Sequence, residues 1–403
     1  MSAMKNVLFK LFKKPSYMIL GVMFCLLCIG CINVFSASFV RAQNENSLGI
    51  YYFLRYLGIT IASLLFMFFV RCIGYKRLLS KEWIVGIVFL VLAMLIAVKF
   101  KGVEINGAKR WIGIAGITLQ PSEFAKLVVV MLSAKVFGRI LSKGERFSIF
   151  SIKKYSFLLG VTVIYAGLVY KQPDLGTAAI IFGLMLAMLF MSGISRRDMF
   201  AVGCGGLVLA GYLAICKSYR LDRLKVWLDP WSDQADKGYQ IVQSQIAIGS
   251  GGLTGMPWGH GAGKFFFLPE AHTDFAFAMY CQENGFIGVV ILLLLFALLW
   301  FAFAFIVFNT RNHQAFLLSS GITILVVGQS IANMAMVCGI FPVIGVPLAF
   351  ISYGGSAMLT NMAAIGLMLS IYDEENKLAE QASQSSDERR NDLRMIRNER
   401  WNQ

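Results

Sequence analysis

The chain has 403 residues, 57% of them hydrophobic and only 15% charged, against about 25% charged in an average soluble domain. With a mean hydropathy of +0.67, that composition excludes a water-soluble globule and points to an all-α polytopic membrane protein. The net charge of +15 suits anionic lipid or a phosphorylated substrate, and so apolar a chain argues against nucleic acid.

A helix needs about 20 apolar residues to span a bilayer. In chain order, charge-free stretches run over Pro15–Val40, Tyr56–Val70, Trp83–Val98, Tyr155–Tyr170, Leu175–Ser195, Met199–Cys216 and Asn284–Thr310. A last one, Asn312–Tyr372, is too long for one helix and is divided by the glycine- and proline-rich Gly339–Pro347. One further span, about Pro121–Phe137, contains Glu123, Lys126 and Lys135. The expectation is ten transmembrane helices. The first is longer than a signal-peptide core and reads as an uncleaved anchor.

Lys and Arg favour cytoplasmic loops, and their distribution places both termini in the cytoplasm. Residues 1–372 then form the membrane domain, with a large extracytoplasmic loop at 217–283 between helices seven and eight. Residues 373–403, charged and mixed in sign, form a tail expected to be a frayed helix or disordered. The eight cysteines lie mainly in or beside apolar runs; with no paired CxxC motifs near histidines they read as small packing residues, not a metal site or a disulfide framework.

Two cation clusters oppose the inside bias: Lys99, Lys101, Lys109 and Arg110 in one outer loop, and Lys217, Arg220, Arg223 and Lys225 in another. They are either tolerated loop charges or a site for a phosphate-like anion. Glu123 and Lys126 are three residues apart and share one helix face. An ion in a span marks function by default, so the pair is either a structural tie between helices or part of a polar cavity opening outward. Asp174 opens a helix on the outer side, as a cap or as a site residue. The large loop holds Trp227, Trp231, Tyr239 and Trp258, a glycine run that is not a phosphate-binding P-loop, and Leu268-Pro-Glu-Ala-His-Thr-Asp-Phe275. Glu270, His272 and Asp274 make that segment the densest acid–base cluster outside the cytoplasm; His272 alone has no second histidine at metal-ligand spacing.

Six segments together resemble the SEDS family (shape, elongation, division and sporulation proteins, which include FtsW, RodA and SpoVE). They are Asn106–Ile112, Gln120–Leu127, Gln172–Ala178, Gly238–Gln240 with Gln243-Ser244, Leu268–Phe275 and Ile351–Ser356. They run in family order over about residues 100–370, and the first and fifth look more like FtsW than RodA. Ile344, Ala349 and Ala357 depart from the family pattern, which puts in doubt the polar contacts made there.

The resemblance implies a peptidoglycan glycosyltransferase that polymerises lipid II into β-1,4 glycan strands at the outer face of the plasma membrane, serving septal synthesis. Displacing pyrophosphate with inversion needs one base for the acceptor hydroxyl, and the family position for it is Asp274. Lys126, Glu123, Arg110, Lys109, Trp111 and Arg220 are implied to bind substrate or pyrophosphate; Glu270, His272, Asp174, Gln120 and Ser122 are implied to support them. A divalent cation (Mg2+ or Mn2+, ligands unassigned), a class B penicillin-binding protein and other division proteins of the membrane are the implied cofactor and partners. Two other classes stay open: a lipid II flippase, whose polar residues should lie near the midplane, and a division or sporulation scaffold without activity.

Overall fold

The computed structural model describes residues 14–44, 48–105, 107–114, 117–144, 152–215, 225–236, 238–257 and 268–401. Helices α1 (Pro15–Asn44), α2 (Tyr51–Ile73) and α3 (Lys81–Lys101) are followed by strands β1 (Gly102–Ile105), β2 (Ala108–Ile114) and β3 (Ile117–Leu119). Then come α4 (Pro121–Ser142), α5 (Ile152–Lys171), α6 (Leu175–Met191), α7 (Arg196–Ile215), the short α8 (Tyr239–Ser250) and α9 (Ala276–Asn309). Helix α10 (His313–Val337) and helix α11 (Gly355–Trp401) complete the chain. Among the described residues six helices are long and apolar enough to cross a membrane: α1, α2, α3, α9, α10 and α11; α6 is apolar but shorter.

The packing is built around α4. Pro121 starts this helix, where its missing N–H costs nothing, and Gln120 stands at the N-cap. Buried residues lie on nearly every face of α4, as expected of a helix inside a bundle. It packs against α3, α5, α6, α10 and α11, while α9 lies along α1 and α11 along α2. Helix α10 contains one wide π turn, Ile324–Gly328, of the kind that often sits at functional positions.

One sequence expectation needs correction. The fold is not purely helical: β1, β2 and β3 form an antiparallel sheet between α3 and α4. Gly102 pairs with Ile112 and Ile112 with Leu119, and a register shift between Val103 and Glu104 marks a bulge. Gly107, at φ 73°, makes the β1–β2 turn, a conformation open to glycine. The stretch expected as a loop at 217–283 holds helix α8, and α9 already begins at Ala276. That helix is interrupted at Gly285 (φ 59°); the amides of Phe286 and Ile287 donate to the carbonyls of Gly252 and Leu253 instead. The charged tail from Asp373 lies within α11, which runs to Trp401. At that boundary Arg71 grips Asp373 through two hydrogen bonds of 2.7 and 3.0 Å, and Lys76 pairs with Glu374. Partly exposed pairs of this kind contribute little to stability but fix where α2 meets α11.

Candidate active site

The turn over residues 268–275 carries the acid–base cluster. Leu268, Ala271 and Phe275 are buried and anchor it. The carbonyl of Glu270 accepts hydrogen bonds from the amides of Thr273 and Phe275, which curls the chain back on itself. Glu270 adopts φ 54°, the left-handed region that a non-glycine residue enters at a cost. The Thr273 hydroxyl donates to its carboxylate at 2.6 Å.

Glu270, His272, Thr273 and Asp274 face a cavity of about 440 Å3. Its other walls include Arg110 and Trp111 of β2, Gln120 before α4, Gly345 and Pro347 of the segment after α10, and Gly354–Ala357 where α11 starts. The rings of His272, Tyr52 and Tyr353 form a triangle, with His272 5.5 and 5.7 Å from the two tyrosines and these 5.6 Å apart, and the His272 carbonyl accepts the amide of Tyr353 at 2.8 Å. That histidine therefore ties the turn to the 338–354 segment.

Asp274 is half-buried and lines the cavity. Burial, then the nearby carboxylates of Glu270, Asp174 and Glu123, push its pKa up to about 7; Arg110 opposes them. A carboxylate poised there can accept a proton near neutral pH. Arg110 is held by backbone: Nε donates to the Gln172 carbonyl at 3.2 Å and Nη2 to that of Pro173. Nη1 stands 3.6 Å from Asp174. Asp174 caps α6 as expected, accepting from the amide and hydroxyl of Thr177 at 3.1 and 2.9 Å. A rigid cation thus sits on one wall of the cavity and a desolvated carboxylate on another, which suits a reaction that moves a proton and binds an anion.

Glu123 and Lys126 are buried in α4 and are not among the residues lining this cavity. Lys126 Nζ donates to Glu123 Oε1 at 2.7 Å and to Gln329 Oε1 at 3.1 Å. The pair lies near enough to Asp274 for the Glu123 charge to raise its pKa. Of the two readings of this pair, the contact with Gln329 of α10 fits the tie between helices. Ser122 is fully buried beside the pair, and the amide of Gln120 donates to Ser356 Oγ at 2.7 Å. Lys109 is exposed, with its amine 3.9 Å from Glu104 and outside the cavity. Arg220 lies outside the described residues. Among the described residues no three His, Cys, Asp or Glu side chains meet in a way that could hold a metal ion.

Sequence reasoning passed over Tyr52, Asn333 and Gln329, and gave Thr273 and Gly345, which lie inside quoted segments, no role. Tyr353 and Ser356 stood inside a quoted motif without an assigned role. Asn333 is buried, and its side-chain amide donates to the carbonyls of Asp274 and Val346. The available clue was polarity: Gln329 and Asn333 interrupt a long apolar stretch four residues apart.

A family model described as "Cell cycle protein" (FtsW/RodA/SpoVE) matches residues 16–377. A "Probable peptidoglycan glycosyltransferase FtsW" of Trichlorobacter lovleyi is 34% identical, covering 91% of this chain and 96% of its own. The "Stage V sporulation protein E" of Bacillus subtilis is 32% identical, covering 89% and 96%. A chain from "Structural coordination of polymerization and crosslinking by a peptidoglycan synthase complex" superposes with a TM-score of 0.72 at 26% identity, covering 89% and 97%. The crystal structure of the Rod shape determining protein RodA of Thermus thermophilus gives a TM-score of 0.64 at 25% identity, covering 89% and 96%.

Proposed function

The chain belongs to the FtsW/RodA/SpoVE family of cell cycle proteins, and from that premise we propose that it is a peptidoglycan glycosyltransferase that polymerises lipid II. The observation that carries the reading is the cavity that both Asp274 and Arg110 line. The acceptor sugar's 4-hydroxyl donates its proton to the Asp274 carboxylate as it attacks the donor's anomeric carbon. The carbon–oxygen bond to pyrophosphate breaks on the opposite face, so configuration inverts. Arg110 faces the departing diphosphate; a guanidinium matches phosphate oxygens in a fork geometry. Trp111, on the same wall, offers an apolar face to a sugar ring. Lys126 and Glu123 support the site from beneath.

A divalent cation is the cofactor such chemistry suggests. The described residues do not form a cage for one, and no step here depends on it. In the bilayer we place ten spans with both termini in the cytoplasm. The Arg71–Asp373 clamp then sits at the inner end and Asp274 at the outer. A class B penicillin-binding protein as cross-linking partner, and work at the division septum, complete the proposal.

The experiment is a gel of glycan strands from purified protein, lipid II and a divalent cation, with and without the transpeptidase partner. Strands are expected in the complex. Absence of strands together with passage of labelled lipid II across vesicle membranes would replace catalysis with transport. The pH dependence is a second expectation. The base works only as the carboxylate, so kcat should fall as pH drops through about 7, by about tenfold per unit below it. A limb near the ordinary carboxylate value of about 4 would show that the surroundings of Asp274 do not raise its pKa in the working enzyme.

A further inference from the structure

Asp274 stands on a turn, and the turn's own backbone hydrogen bonds run to the carbonyls of Glu270 and Thr273, not to that of Asp274. What fixes Asp274 comes from a distant helix. Asn333 of α10 is wholly buried. Its Nδ2 donates to the Asp274 carbonyl at 2.8 Å and also to the Val346 carbonyl. Both partners are acceptors only, so the amide has a single orientation that serves them. Its Oδ1 is buried with no donor among the described residues, an arrangement that costs free energy and that packing alone would not favour.

The geometry around this contact is close. Val346 follows Gly345, which adopts φ 70° and whose position leaves only 3.5 Å between a notional Cβ and Asp274 Oδ2. Joining the Asp274 and Val346 carbonyls therefore brings the carboxylate against the Gly345 wall of the cavity. Asn33 of α1 donates to the Ala276 carbonyl at 3.0 Å and holds the other side of the turn. Asn333 also lies one turn beyond Gln329, which receives Lys126, so one face of α10 (just after its π turn) reaches both Asp274 and the buried ion pair. The charged groups near Asp274 are Glu270 on its own turn, Arg110 on β2, Asp174 at the start of α6 and Glu123 on α4; Asn333 adds no charge to that set.

We propose that Asn333 is a positioning residue for glycosyl transfer, clamping the Asp274 backbone to Val346 so that the carboxylate is held at the reacting face of the cavity. The inference rests on the reading of Asp274 as the base.

The test uses full-length protein in the strand assay, comparing wild type, Asn333→Ala, Asn333→Ser and Asp274→Asn. A misplacement of about 1 Å can cost about 10²-fold in rate. Asn333→Ala is therefore expected to lower kcat at least about tenfold with little change in KM for lipid II. Its acidic limb should move to lower pH, because water reaching a loosened Asp274 restores the carboxylate's ordinary ionisation. Asn333→Ser, with one hydroxyl to offer one carbonyl, should recover part of both. Folded Asn333→Ala with wild-type kcat and wild-type pH limb overturns the proposal. So does a variant that only loses folded protein while each remaining molecule works normally. If the alanine variant does not fold, Asn333→Ser decides by the same two readouts. An active Asp274→Asn would instead remove the base reading itself, whereas an inactive Asp274→Asn beside a normal Asn333→Ala removes only the positioning claim.

Discussion

Replacing Lys126 with methionine is expected to destabilise the protein by about 3–5 kcal/mol, the usual cost of stripping one partner from a buried ion pair. Lys126 is 1% exposed and Glu123 5%. Their 2.7 Å contact and the Gln329 contact supply the polar partners that water cannot. Methionine fills much of the same volume but leaves the Glu123 carboxylate without its counter-charge, so the protein must protonate it, admit water or unfold locally. Thermal unfolding in detergent should show a clear drop in Tm, with strand formation falling alongside it. Adding Glu123→Gln should restore part of the Tm, because the second substitution removes the uncompensated charge. A Lys126→Met protein with unchanged Tm would mean that the pair is hydrated and that α4 is not the dry centre of the bundle.

Asp274→Asn is the substitution with the largest expected effect on turnover. Asparagine preserves the shape and the contacts of the turn, including the carbonyl that Asn333 holds, but it cannot take a proton. General base catalysis contributes about 10²–10⁴-fold, and kcat should fall by that factor. Binding of lipid II should persist, since Arg110 and Trp111 occupy other walls of the cavity. Substitution at Arg110 should reverse this pattern, because its backbone contacts to Gln172 and Pro173 hold a cation where the diphosphate would lie.

Much of this site could be read from the chain before its fold. Asp274 stood out because carboxylates and a histidine crowd a loop outside the spans, and Glu123 and Lys126 because charges are costly in an apolar helix. What escaped was whatever depends on distant segments meeting. The 102–119 region looked like a cationic loop: its strands are short, and the bulge at Val103/Glu104 breaks their alternation. The tail beyond Asp373 has no apolar face, so the helix that α11 extends there left no periodic trace. Gly345, Pro347 and Ser356 reach the cavity from some 70 to 80 residues beyond Asp274. Asn333 lay unnoticed in a charge-free stretch, because one polar residue in a helix does not announce which carbonyl it will meet. For Lys126 the residue was recognised but not its depth: residue type pointed to a polar place, and only packing against α10 shows that the place is closed.

The decisive comparison is a glycan-strand gel of wild type and Asp274→Asn, both in complex with the transpeptidase partner and both shown to bind lipid II. Strands from wild type alone, with equal lipid II bound by both proteins, are the predicted result. Strands of similar yield from Asp274→Asn would contradict it and move the base to another residue of the cavity.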